Sequence, residues 1–158
     1  MLSSYNSLIN SNNGMKTKVW GPKLWDFLFI SILGAYPISI DKYNNKHLKI
    51  KKHFKKMFLS LESTLPCSYC RESYKSFIKK HNIKPFLKSR LLLFYWLYLL
   101  KDMVNKKLIQ QEKEKFLKIS KNITDKNELS ILRKKIFYTK PSPSFVSVLL
   151  HYEQYRSN

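Results

Sequence analysis

Glycine, cysteine and acidic residues are all scarce in this sequence of 158 residues, and each scarcity excludes a class of protein. Three glycines exclude a collagen-like chain and argue against a turn-rich all-β architecture. Two cysteines cannot build the framework of a small disulfide-rich secreted domain. The hydrophobic content of 44% excludes a fully disordered polybasic tail, because such tails have too little apolar surface to bury. The length suits one folded domain.

The basic residues outnumber the acidic ones by thirty to ten, which gives a formal net charge of +20. Only four of the thirty are arginine, whereas the recognition of base edges and phosphates relies on the planar guanidinium group. This composition argues against specific nucleic-acid binding, although a weak, salt-dependent attraction to polyanions is expected. The densest basic run, residues 42–56, leads into apolar residues three or four apart, which predicts a helix with its lysines outward.

No segment has the pattern of a leader peptide or of a membrane span. Residues 1–18 are polar and contain neither an apolar run nor an arginine, so we interpret them as a disordered N-terminal extension. The longest apolar run, Leu91 to Leu100, has ten residues. A spanning helix needs about 20 apolar residues, so no membrane span is predicted.

The spacing of the apolar residues predicts an all-α fold, a four-helix bundle with a short additional C-terminal helix. The stretch 91–100 is apolar on every side and is expected to be the most buried element. Residues 111–140 are charged and are interpreted as an insertion or linker before the last helix. The expected helices run from about Pro22 to Ala35, from 46 to 64, from after Pro66 to about Lys80, from near Ser89 to about Leu108, and onward from a cap at Ser144.

One motif has chemical content, the segment 65–71 with the sequence LPCSYCR. Its two cysteines, Cys67 and Cys70, are three residues apart, so on a helix they share a face and can form a disulfide. In the first turn of a helix, free backbone N–H groups and the helix dipole favour a thiolate, which is the attacking species in thiol–disulfide exchange. The adjacent Arg71 adds positive potential. The motif therefore fits a redox-active dithiol.

Three other interpretations of the cysteine pair compete with this one. A zinc site needs four ligands, and His53 and His81 do not stand at a zinc-like spacing from the pair, so no metal site is predicted. A thioredoxin-like enzyme needs the motif after a β-strand, and no convincing strand pattern precedes it. Two buried structural cysteines could also stand three apart by chance. The residues alone leave a dithiol oxidoreductase and a structural pair both open.

The surrounding motifs extend the interpretation. Residues 20–25 (WGPKLW) begin the first predicted helix, and residues 35–37 (AYP) end it. After the LPCSYCR segment come residues 95–108, in which a Trp is followed by KDMVNKKL, and then residues 143–156. In this order the motifs resemble the Erv/Alr family of FAD-dependent sulfhydryl oxidases, and the last segment is similar to the closing helix of the minimal forms encoded by large DNA viruses. Residues 19–158 are thus identified as a domain of this family.

The resemblance implies a thiol oxidase that forms disulfides in protein substrates and contains FAD. Cys67 would exchange with substrate thiols and Cys70 would lie against the flavin ring, with molecular oxygen as acceptor and hydrogen peroxide as product. The implied partners are thiol-containing proteins or a small thioredoxin-like electron donor, and a second copy in a homodimer. The implied location is the cytoplasm, including a virus factory or virion. The implied cofactor-binding residues are Trp20, Gly21, Trp25, Phe29, Cys70, Trp96, Lys101, Asp102, Val104, Asn105 and Lys107.

The chain departs from the family pattern at two positions where the family has histidine, which are occupied here by Phe29 and Lys101. Each lost polar contact is expected to weaken cofactor binding by about 1–3 kcal/mol if its partner is left unpaired. One alternative is therefore a flavin-free relative that acts as a basic binding or adaptor module, and another is a flavin-free dithiol exchange protein. Because the sequence has no second cysteine pair, the dithiol is expected to take electrons directly from its partner.

Overall fold

Six α-helices make up most of residues 14–157, the part of the chain that the computed structural model describes, and this part contains no β-strand. The predicted all-α class is confirmed. These residues divide into two units, 14–96 and 97–157. The helices are α1 Thr17–Ala35, α2 Asn45–Thr64, α3 Ser68–Lys80, α4 Arg90–Ser120, α5 Lys126–Ile136 and α6 Phe145–Glu153, with a 3-10 turn at Lys84–Phe86 between α3 and α4.

Asparagine, aspartate and serine side chains cap the starts of α2, α5 and α6. Asn44 before α2, Asp125 before α5 and Ser144 before α6 each accept hydrogen bonds from backbone N–H groups of the following turn, at 2.5 to 3.3 Å. The cap at Ser144 was predicted. The end of α1 at Tyr36-Pro37 was predicted too, because a proline disfavours helical backbone in the residue before it.

Two predicted helix boundaries are wrong. Helix α1 begins at Thr17 rather than near Pro22, so this proline stands inside the helix and part of the predicted disordered extension is helical. Residues 1–13 of that extension lie outside the described residues. Helix α4 continues past Leu108 to Ser120, because its Lys, Glu and Gln residues favour helix even without a regular apolar face. The stretch interpreted as an insertion or linker also contains α5.

Aromatic rings form the centre of the first unit. Phe58 of α2 contacts Trp96 of α4 edge to face, with ring centroids 5.0 Å apart. Phe29 of α1 lies against Phe94 of α4 at 4.7 Å. All four rings have 0% exposure. Helices α1, α2 and the first turns of α4 therefore share one apolar core, as the bundle prediction requires.

The stretch 91–100 is only partly as predicted. Leu93, Phe94 and Trp96 are fully buried, but Leu91 is 54% and Tyr95 is 38% exposed. The apolar residues surround this helix, but the described residues cover only one side of it, so Leu91 and Tyr95 on the other side stay exposed. None of the described helices combines the length and hydropathy that crossing a lipid bilayer requires.

The second unit is held together by polar contacts along α4. The buried carboxylate of Glu112 accepts hydrogen bonds from the backbone N–H of Thr139, at 3.1 Å, and from its hydroxyl, at 2.5 Å. The hydroxyl of Tyr98 donates to the Pro143 carbonyl at 2.9 Å. These bonds tie the loop that precedes α6 to the long helix.

Candidate redox site

The two cysteines form a disulfide at the start of α3, with their Cα atoms 5.1 Å apart. Cys67 is the N-cap residue of the helix, and its Sγ accepts a hydrogen bond from the backbone N–H of Cys70 at 3.2 Å. Both residues are half-buried. The spacing of three residues therefore brings the sulfurs together as the sequence predicted.

The helix start favours negative charge on Cys67. Helix α3 has thirteen residues and no acidic side chain in its first turn, while Lys79 and Lys80 stand in its last turn. Unpaired N–H groups at the start of a helix carry partial positive charge, which stabilises a thiolate at the N-cap. When the disulfide is opened, the sulfur of Cys67 therefore lies next to these N–H groups.

Arg71 has a structural partner that the sequence did not indicate. Its Nη1 donates to the carbonyl oxygen of buried Leu65 at 2.6 Å, and its backbone N–H donates to the Cys67 carbonyl at 3.0 Å. The predicted role was positive potential beside the cysteines. The geometry adds that Arg71 clamps the turn of residues 65–67 onto the first turn of α3.

Tyr74 anchors the disulfide-bearing helix to α2. Its hydroxyl donates to the backbone carbonyl of Phe58 at 2.8 Å, and the side chain is 6% exposed. Burial, and after it the negative charge of Glu62, raise the pKa of Tyr74 above its usual range. Because Tyr74 lies seven residues after Cys67, it stands two turns along the same side of α3. The position of the cysteine pair thus depends on packing against α2.

Residues Gly14 and Met15, which we call the strap, lie directly against the segment that precedes the disulfide. The N–H of Met15 donates to the Pro66 carbonyl at 3.1 Å, and the Met15 carbonyl accepts from Trp20 Nε1 at 3.0 Å. A Cβ on Gly14 would stand 2.6 Å from the Pro66 oxygen and 3.0 Å from the Cys67 Cα. The strap was not predicted from the sequence, where the one signal for it is Gly14, one of three glycines in the chain.

The cofactor residues predicted on the first unit fall into two groups. Trp20, Gly21 and Trp25 of α1 are half-buried. Phe29 and Trp96 are both 0% exposed, so neither ring offers a surface to a ligand as packed. Both aromatic rings serve as core residues of the first unit, and cofactor contact at these two positions stays a prediction. Their sequence positions alone could not separate packing from binding.

The cofactor residues predicted on the second unit are all half-buried on α4. Lys101, Val104 and Asn105 share one face, since they lie within about 100° of one another around a helix with 3.6 residues per turn. Around the helix axis, Asp102 lies about 100° from Lys101 in one direction, and Lys107 lies about 120° from Lys101 in the other direction. The predicted set therefore does not occupy a single face of the helix.

Among these α4 side chains, those of Asn105 and Asp102 form polar contacts within the second unit. The Asn105 Nδ2 donates to the hydroxyl of Ser142 at 2.9 Å. Asp102 forms an ion pair with Lys106 at 2.6 Å, and the hydrogen bond in this pair raises the pKa of Lys106. Among the described residues, no three His, Cys, Asp or Glu side chains gather in a way that could hold a metal ion.

Residues 22–125 match the model of the Erv1 / Alr family, which is well over half of the chain. The chain belongs to the Erv1/Alr family. The matched range contains the cysteine pair, Arg71 and Tyr74, and it ends after α4. This family is known for sulfhydryl oxidase activity and is typically flavin-linked. A comparison with curated proteins gave no match.

Proposed function

We propose that this Erv1/Alr protein is an FAD-linked thiol oxidase that forms disulfides in protein substrates. The observation that carries the proposal is the Cys67–Cys70 disulfide, half-buried at the start of a helix, in a chain of this family. A purely structural disulfide gains nothing from a helix start that favours a thiolate, whereas an exchanging one does.

The exchange begins when a substrate thiolate attacks the Sγ of Cys67. The bond between the two protein sulfurs breaks, and Cys70 leaves as a thiolate while a mixed disulfide joins the substrate to Cys67. A second substrate thiol, after losing its proton, attacks the substrate sulfur of the mixed disulfide and releases Cys67. The substrate has then lost two electrons and two protons, and the protein pair has gained the electrons. The released Cys67 thiolate is stabilised by the N–H of Cys70 and the helix dipole.

The donor chemistry of this chain fits FAD at some of the predicted positions. Within α4, Lys101 and Lys107 supply cationic groups and Asn105 supplies an amide, which suit an anionic dinucleotide. These three residues would hold the cofactor, and contact at Trp25, Phe29 and the other implied positions stays an expectation from the family resemblance. When bound, FAD would accept the electron pair of the dithiol and pass it to molecular oxygen, giving hydrogen peroxide.

The partners follow from the cysteine count. The sequence contains Cys67 and Cys70 and no other cysteine, so within these residues there is no second pair to relay electrons. The proposal is therefore direct exchange with thiol-containing protein substrates or with a small thioredoxin-like donor. A homodimer, a minimal viral form and a cytoplasmic location, in a virus factory or virion, belong to the same proposal through the family resemblance.

The test is the spectrum and the oxygen consumption of the purified full-length chain. We expect a yellow protein with the visible absorption bands of a flavin that consumes oxygen when dithiothreitol is added. Cys67→Ser and Cys70→Ser are expected to abolish turnover, and Ser68→Ala, which changes an exposed residue between them, is the matched control. Turnover retained in either cysteine variant would refute the assignment, and a colourless wild-type protein without turnover would favour a flavin-free module.

A further inference from the structure

The contact between the strap and the redox site is made by backbone atoms. Both polar groups of the Met15 peptide are used, since its N–H donates to Pro66 and its carbonyl accepts from Trp20. The Met15 side chain, by contrast, is 68% exposed. The hydrogen bond itself uses main-chain atoms only, so another extended chain could donate the same bond to the Pro66 carbonyl.

The strap also fills the space beside Cys67. Gly14 approaches so closely that even a methyl group would meet the Pro66 carbonyl oxygen at 2.6 Å and the Cys67 Cα at 3.0 Å. Both atoms belong to the backbone, so neither can move aside as the end of a flexible side chain would. A second chain therefore cannot lie along this side of Cys67 while the strap is in place.

A client protein needs that space more than a small thiol does. A client segment that follows the path of the strap would lie beside residues 66 and 67 and bring its cysteine next to Cys67. Pro66 is exposed, and its carbonyl accepts the main-chain N–H of the strap. Dithiothreitol has no backbone, so it does not compete with the strap for the Pro66 carbonyl.

We propose that the Pro66 carbonyl is a docking point for an extended, cysteine-bearing segment of the client, and that the strap occupies this point until the client displaces it. The inference rests on the proposed thiol exchange and names the form of substrate that the site accepts. The chemical step is unchanged: client thiolate attacks Cys67, Cys70 leaves, and the client disulfide forms with two electrons passing to the protein pair. Only chains in which the Pro66 carbonyl is uncovered can bind the client, so the apparent affinity for the client falls in proportion as this fraction of chains falls.

The test measures one turnover of exchange without oxygen in the full-length protein. Two variants displace the strap by different means: Gly14→Ala introduces the clashing methyl group, and Met15→Pro removes the donated N–H. Gly34→Ala is the matched control, because a Cβ there meets nothing within 4 Å. With excess oxidised protein, the rate of disulfide formation is followed by mass spectrometry for an unstructured peptide with two cysteines and, separately, for dithiothreitol.

We expect both strap variants to oxidise the peptide roughly threefold to tenfold faster than wild type. A factor of this size corresponds to the net free energy of one ordinary hydrogen bond. The dithiothreitol rate and both rates of Gly34→Ala should match wild type. A peptide rate that is unchanged or slower in the strap variants, or an equal rise with dithiothreitol, would overturn the inference alone. A wild-type chain that exchanges with neither thiol would overturn the proposed function and this inference together.

Discussion

Replacing Tyr74 with phenylalanine removes the hydroxyl that holds the disulfide-bearing helix against α2. The hydrogen bond to the Phe58 carbonyl is 2.8 Å long and the ring is 6% exposed, so the substitution deletes the bond and leaves the packing. The Phe58 carbonyl stays within helix α2, where a backbone N–H four residues later is its ordinary partner, so no acceptor is stranded. We expect the free energy of unfolding to fall by about 1 kcal/mol, or about 2–4 °C in Tm.

The assay is urea unfolding followed by tryptophan fluorescence. All three tryptophans lie at or before residue 96, so the signal reports the first unit, which contains Tyr74. Tyr43→Phe is the matched control, because that ring is 82% exposed and loses no buried hydrogen bond. The control should unfold at the same urea concentration as wild type.

The pH dependence separates the hydrogen bond from a general loss of packing. The pKa of Tyr74 is raised in the folded protein, first by burial and then by Glu62, so the unfolded chain loses this proton at a lower pH than the folded one. The stability that the neutral hydroxyl contributes is therefore complete below about pH 10 and declines as the pH rises. The advantage of wild type over Tyr74→Phe should shrink by up to about 1.4 kcal/mol per pH unit above that point. An advantage that is absent at pH 8, or equal at pH 8 and pH 11, would refute the reasoning.

Two further substitutions test contacts of the same kind. Arg71→Gln removes the 2.6 Å hydrogen bond from the guanidinium to the Leu65 carbonyl and should lower the free energy of unfolding by about 1–2 kcal/mol. Lys75→Gln makes the same change of charge at an exposed position of α3 and should leave the free energy of unfolding unchanged. Equal free energies of unfolding in the two variants would contradict the role given to Arg71. Glu112→Gln weakens the side chain that accepts two hydrogen bonds from Thr139, so the backbone amide hydrogen of Thr139 should exchange roughly tenfold faster. An unchanged exchange rate, or the same increase in Glu114→Gln, would contradict the role of Glu112 as the partner of Thr139.

The helices could be predicted where apolar spacing or a cap marks them. The expected stretch from 46 to 64 is α2 almost to the residue, and Ser144 opens α6. The extension of α4 to Ser120 could not be predicted from periodicity, because it rests on helix propensity and on the contact of Glu112 with Thr139, twenty-seven residues away. A lone glutamate in a charged run does not indicate such a partner.

The site could be predicted only as far as its sulfur atoms. The spacing of Cys67 and Cys70 was sufficient for the disulfide, since helix geometry fixes which residues share a face. The contacts of Arg71, Tyr74 and Met15 were not predictable, because each ends on a backbone carbonyl. Every residue has a backbone carbonyl, so the sequence does not indicate which one a given donor will contact.

These backbone contacts have a consequence for the redox cycle. The bond from Arg71 to Leu65 and the bond from Met15 to Pro66 use no sulfur atom, so opening the disulfide removes neither. The N–H of Cys70 does donate to the sulfur of Cys67, and a thiolate is a stronger acceptor than a disulfide sulfur. Reduction should therefore leave the start of α3 in place and strengthen its cap. The exchange then needs movement of the two sulfurs and of the strap, while the helix that presents them keeps one geometry in both oxidation states.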